Sequence, residues 1–171
     1  MNIFLIILRK IHNKLTFRTL EIAFVIHETE NIDILTLNLN AILGLVDSDY
    51  KIKKTEGHHG NMIKFVQVYL VRNRVQEVAD KILSLLAVVD KEDIIQNIES
   101  YLDSRFTFFL RVSKQEIPNK KFVLSYDDSI RIKMKPSMKL SQNHAHKFYV
   151  DMLEDSLCCL LYTSPSPRDR G

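Results

Sequence analysis

Residues 50–71 read YKIKKTEGHHGNMIKFVQVYLV. The first seven residues form a short basic strand, and MIKFVQVYLV, rich in aromatic and β-branched residues, forms a longer one. Between them, Gly57 to Gly60 holds two of the four glycines of the chain. Glycine tolerates positive φ, so these four residues can make the turn of a β-hairpin. His58 and His59 then sit at the turn, with Asn61 just after it, where they offer hydrogen-bonding groups to a partner.

Working outward, LEIAFVIHE at residues 20–28 places Leu20, Ile22, Phe24 and Ile26 on one face with the period of a strand. Residues 32–46 follow. Ile32, Leu35, Leu39, Ile42, Leu43 and Val46 fit a helical stripe, although Leu35, Leu37 and Leu39 also alternate with polar neighbours. Helix is the favoured reading, with Gly44 near its end. Beyond the hairpin, Asn73 with Gln76 makes a capping-box pattern before VQEVADKILSLL. Asp90 is a candidate cap for KEDIIQNIESYL. RFTFFLRVSKQ, then KFVLS after a turn at Pro118-Asn119, then SIRIKMK after Asp127-Asp128 read as three strands of an antiparallel meander. The order β-α-β-β-α-α-β-β-β predicts a two-layer α+β domain with a mixed, mostly antiparallel sheet and helices on one face.

Charge is segregated along this order. Residues 75–104, the paired helices, carry seven carboxylates against two lysines, whereas residues 105–139 carry nine bases against three acids. In the last strand Ile130, Ile132 and Met134 face one way and Arg131, Lys133 and Lys135 the other. In RFTFFLRVSKQ, Phe106, Phe108, Leu110 and Val112 share one side, and Thr107, Phe109, Arg111 and Ser113 the other. If the apolar sides meet the helices, the second face of the sheet gathers Phe109, Arg111, Arg131, Lys133 and Lys135, with Lys51 or Lys53 joining from the basic strand. Cations with an aromatic among them suit RNA, through phosphate charge and base stacking. A half-wet antiparallel sheet needs no ligand, so three outward cations on one strand carry the weight of this reading.

The 171 residues, 46% hydrophobic and 26% charged with a net charge of +3, describe one globular domain. The apolar run IFLIIL at residues 3–8 falls far short of the roughly 20 residues of a membrane span, so no membrane partner is expected. Both cysteines are adjacent, Cys158-Cys159, and the chain before them is cysteine-free, which fits a cytoplasmic protein. No phosphate loop, nucleophile elbow or zinc-binding spacing is present. A metal-dependent hydrolase would have to use His27, Glu30 and His58, if the strand ends meet. No metal, cofactor or catalytic residue is expected. Residues 1–19 read as an N-terminal extension of open status, 20–138 as the α+β domain and 139–157 as a C-terminal segment of open status. The serine- and proline-rich residues 158–171 read as a non-native tail.

FVIHETEN (residues 24–31), GHHGNMI (57–63), FFLRVSKQE (108–116) and DDSIRIKMK (127–135) together resemble an archaeal RNA-binding family described as a predicted exosome subunit. The resemblance covers residues 20–138. It implies a compact α+β fold similar to that of a ribosomal RNA-binding protein, RNA as partner, no known catalysis, and helix at residues 32–46. The matching positions are His27, Thr29 and Glu30; Gly57, His58, Gly60 and Asn61; and Arg111, Lys114 and Gln115. Family members often carry proline where Met62 stands and an aromatic residue where His59 stands. The expected function is therefore non-catalytic RNA binding, in RNA processing or with the exosome. The expected contacts are Lys51, Lys53, His58, His59, Asn61, Phe109, Arg111, Lys114, Gln115, Arg131, Lys133 and Lys135. A module that docks on an RNA-processing or ribosomal assembly through protein contacts is the alternative.

Overall fold

The computed structural model describes residues 17–57 and 61–161, with side chains up to residue 157. The apolar run at residues 3–8, and His58 and His59, lie outside the described residues. The elements are β1 (Phe17–Ile26), α1 (Ile32–Leu43), β2 (Tyr50–Glu56), β3 (Met62–Val71), α2 (Asn73–Leu85), α3 (Val88–Gln96), β4 (Phe108–Ser113), β5 (Ser129–Pro136) and α4 (Gln142–Leu161). The strands form one sheet in the order β2-β3-β1-β5-β4, with every neighbouring pair antiparallel. The α+β architecture is as expected, and the five-stranded pairing is more uniform than the expected mixed sheet.

Alternation decides the two faces. Leu20, Ile22, Phe24 and Ile26 of β1, Val66, Val68 and Leu70 of β3, Leu110 and Val112 of β4, and Ile130, Ile132 and Met134 of β5 are all buried on the helix side. Against them pack Leu35, Leu39 and Leu43 of α1 and Val75, Val78, Ala79, Ile82 and Leu83 of α2. The acidic helices thus lie behind the sheet, and the outward alternates of each strand form its second face.

The ambiguous segment after β1 is a helix because its ends are well capped. Asn31 Oδ1 accepts from the N–H groups of Asp33 and Ile34 at 2.9 and 3.3 Å. At the other end Gly44 takes φ 73° and donates to the Asn40 carbonyl at 2.9 Å, a left-handed stop that favours glycine. Val46 falls beyond this stop and is exposed.

Three local expectations are corrected. Residues 121–125 do not form a strand. Ser113 N–H donates to Val123 O and Ser125 N–H to Arg111 O, both at 2.9 Å, while Phe122 bridges to Leu86 on the other side. A segment divided between two partners builds no continuous ladder, but it shields the β4 edge. Gln76 does not complete a capping box. Its amide accepts from Phe17 N–H at 3.1 Å and donates to Asp80 at 2.7 Å, tying α2 to the start of β1. Asp90 does not precede its helix either. It lies in the first turn of α3, and its carboxylate accepts from Leu124 N–H at 3.1 Å.

The C-terminal helix is part of the packed unit. Ala145, Tyr149 and Leu153 recur every four residues and are fully buried. The Tyr149 ring stacks on Phe108 with centroids 5.2 Å apart, and its hydroxyl donates to the Phe106 carbonyl at 2.6 Å. That bond anchors Phe106, a non-glycine residue at φ 57°.

Candidate functional site

The register of the sheet sets the outer face in rows. Lys51 of β2 pairs with Gln67 of β3, Gln67 with Ala23 of β1, Ala23 with Arg131 of β5, and Arg131 with Arg111 of β4. This row crosses all five strands and carries three cations. Beside it run Lys53, Phe65 and Val25 on one flank, and Tyr69, Glu21, Lys133 and Phe109 on the other. Lys135 follows opposite Thr19. Lys51, Lys53, Arg111, Arg131, Lys133 and Lys135 are all exposed. Tertiary structure therefore brings together cations from three strands that are up to 84 residues apart in sequence (Lys51 to Lys135).

Arg111 and Arg131 stand directly opposite one another, and neither side chain makes an ion pair or hydrogen bond among the described residues. Like charges in this position cost stability, roughly 0.2–1 kcal/mol. Glu21 is the only acid among the outward strand positions of these rows. It accepts from Gln67 Nε2 at 3.0 Å and sits opposite Lys133. The Lys133 ammonium lies 5.3 Å from the Phe109 ring centroid, so one face of that ring already holds a cation.

Two exposed aromatics were missed in the sequence. Phe65 and Tyr69 of β3 are 47% and 51% exposed, on the same outer face. The signal was available: Phe65, Gln67 and Tyr69 alternate with Val66, Val68 and Leu70. Between Phe65 and Gln67 on one side and Arg111 and Arg131 on the other lies an open concavity of about 530 Å³, floored by Ala23 and Val25.

Lys114 does not join the cationic face. It is 5% exposed, and its ammonium donates to Val25 O at 2.7 Å and to the Glu30 oxygens at 2.8 and 3.0 Å. It also reaches Asp128 Oδ1 at 2.5 Å. Its charge is spent inside the protein, where it clamps the end of β1 to the turn before β5. Gln115 points elsewhere, into a small cleft at the start of α1 with Asn31, Ile34 and Pro118. Asn61 leans over Gly57, whose N–H donates to the Asn61 carbonyl at 2.8 Å. A Cβ on Gly57 would fall 2.5 Å from Asn61 Oδ1 and 2.9 Å from Ile63 Cδ1, so a larger residue there makes these two side-chain ends shift.

His27, Glu30 and Asp128 approach closely enough to hold a metal ion. The expected partner His58 lies outside the described residues, and Asp128, from the turn before the neighbouring β5, takes its place in the cluster. Yet the Lys114 ammonium already sits between the two carboxylates. Burial works to raise the Glu30 carboxyl, but the His27 N–H at 2.7 Å and the Lys114 ammonium outweigh it and hold its pKa below the ordinary value. A carboxylate already neutralised in this way is a poor ligand for a second cation.

A family model described as RNA binding matches residues 19–136. Among solved structures, the fold is similar to protein SSO0741 from Sulfolobus solfataricus, at 20% identity and a TM-score of 0.65, covering 80% of this chain and 98% of that one. It is also similar to Mth689, a DUF54 protein from Methanothermobacter thermautotrophicus, at 18% identity and a TM-score of 0.64, covering 84% of this chain and 99% of that one. At such identities the likeness speaks to the fold. A search of the curated proteins finds no match.

Proposed function

Because the chain belongs to the RNA-binding family, we propose that it binds RNA on the outer face of its sheet, through Lys51, Lys53, Arg111, Arg131, Lys133 and Lys135. The carrying observation is the row in which the Arg111 and Arg131 side chains oppose one another with no ion-pair partner among the described residues. A phosphate placed between them turns an internal repulsion into two charge-assisted contacts. The family match supports RNA as the partner, and the acidic helices behind the sheet support its outer face as the side that meets it.

Contacts to phosphate carry no base sequence, so the cations contribute affinity without choosing the RNA. The protein acts in this reading as a binder and not as a catalyst, since the nearest catalytic-type cluster is filled by Lys114. The resemblance to an exosome-linked family supports RNA processing in the cytoplasm as its setting. Among the described residues no helix is long and apolar enough to cross a membrane.

The test is affinity for a short unstructured RNA across a salt series. Each neutralised phosphate on a single strand adds about 0.7 to the log-log slope. Replacing Arg131, Lys133 and Lys135 with alanine flattens the slope by about 2, similarly for different RNA sequences. An unchanged slope in a folded triple variant overturns the assignment.

One observation favours protein docking as a second reading. Ile52 and Met62, beside the hairpin turn on the helix side of the sheet, are 50% and 43% exposed. Crosslinking from position 62 to a protein of an RNA-processing or ribosomal assembly, with RNA affinity absent, would put this reading first.

A further inference from the structure

We propose that the concavity over Ala23 and Val25 is a nucleobase subsite, which receives one unstacked base of single-stranded RNA between the Phe65 ring and the Arg131 side chain. The inference rests on the RNA-binding reading and deepens it, because cations alone would hold a phosphate chain without its bases.

The trough exists because β1 presents small residues outward where its neighbours present large ones. Ala23 lies opposite Gln67 and Arg131, and Val25 opposite Phe65. Adjacent strands are about 4.8 Å apart, so β3 and β5 flank β1 with roughly 9.6 Å between them. A flat ring stacked on both faces needs about 7–8 Å between the groups on either side. Side chains on β3 and β5 that lean slightly inward therefore close on a base standing edge-on over Ala23. Phe65 supplies an aromatic wall and Arg131 a planar cation, and both kinds of surface stack on bases.

The polar surroundings suit a nucleotide. Lys53 lies opposite Phe65 and Lys51 opposite Gln67, while Arg111 lies opposite Arg131. Phosphates on either side of an inserted base therefore meet cations on both flanks. Gln67 donates from Nε2 to Glu21, which fixes its amide and leaves Oε1 free at the trough wall to accept from a base edge. Glu21 and Asp128 also line the concavity. Asp128 is paired with Lys114 and Glu21 is bonded to Gln67, so the phosphates belong on the cationic flanks and only the uncharged base over Ala23 and Val25. The open concavity of about 530 Å³, which continues past the trough to Tyr126 and Ser129, leaves room for a base.

The experiment uses the full chain and three probes: an oligoadenylate, the same oligomer with one 2-aminopurine, and an abasic ribose-phosphate chain of equal charge. The wild type should bind the base-bearing chain about tenfold or more tighter than the abasic chain, and quench the 2-aminopurine. Ala23→Leu, which fills the floor, and Phe65→Ala, which removes the wall, should each bring that preference close to one and abolish the quenching. Neither should alter the salt slope. Circular dichroism checks that each variant folds, and Phe65, being exposed, keeps the test open should Ala23→Leu fail. Equal affinity for the two chains with a normal salt slope overturns the base subsite and leaves the cationic face standing. No salt-dependent binding of any chain overturns both.

Discussion

The Lys114 ammonium lies between Glu30 and Asp128, 2.8 Å from Glu30 Oε1 and 2.5 Å from Asp128 Oδ1. Three segments distant in sequence, the end of β1, the end of β4 and the turn before β5, are joined through this one nitrogen. Substituting Lys114→Met keeps most of the volume but leaves two carboxylates uncompensated. Removing one partner of a buried ion pair costs about 3–5 kcal/mol. The loss here should fall at the lower end, because both carboxylates keep some contact with water. Urea denaturation measures it, and the salt slope for RNA should stay unchanged.

Acid should weaken the fold at the carboxylates. The Glu30 carboxyl is held low against its own burial, as above. The Arg74 guanidinium, bonded at 2.8 Å, holds Asp49 below its ordinary value. Burial would raise Asp103, but the N–H groups of Thr107 and Arg105 hold it low. A carboxyl lowered in the folded state contributes stability that is present above its unfolded pKa and lost as pH falls through the folded one. Stability should therefore be level from neutrality down to about pH 5, then drop as pH passes below the ordinary values of 4.5 for Glu and 3.8 for Asp. A melting-temperature series between pH 7 and pH 3 checks this, and a flat profile would contradict it.

Arg111 and Arg131 should show opposite effects on stability and binding. Arg131→Ala removes the repulsion across β4 and β5, so the melting temperature should hold or rise, with a gain of up to about 1 kcal/mol. RNA affinity should fall in the same protein. A paired loss of both would mean that Arg131 supports the fold through contacts other than these.

Tyr149 anchors α4 to the sheet. Tyr149→Phe removes only the hydroxyl, leaves the Phe106 carbonyl without its donor, and should cost about 1–3 kcal/mol. Tyr149→Ala also opens a cavity against Phe108 and should cost about 3–5 kcal/mol. Chemical denaturation of the two variants separates the contributions. Truncation within the first turns of α4 should be at least as damaging as Tyr149→Ala.

The sequence by itself determined the pattern of elements. Alternation in β1, β3 and β5 and the spacing of Leu35, Leu39 and Leu43 are local properties, since a side chain's face follows from its position in a strand or helix. The same parity separated Arg131, Lys133 and Lys135 from the core before any contact was known. Residues 121–125 were misread because their hydrogen bonds go to two partners, which no local period records. Lys114 looked like Arg111, three residues before it. What separates them is that β4 ends at Ser113, and the chain then turns Lys114 inward to meet Glu30 and Asp128, which are remote in sequence. Strand order, too, was a tertiary decision. Setting β1 between β3 and β5 places small outward residues between larger ones, and so makes the trough. Periodicity fixes which way a side chain points, whereas long-range pairing decides what it finds there.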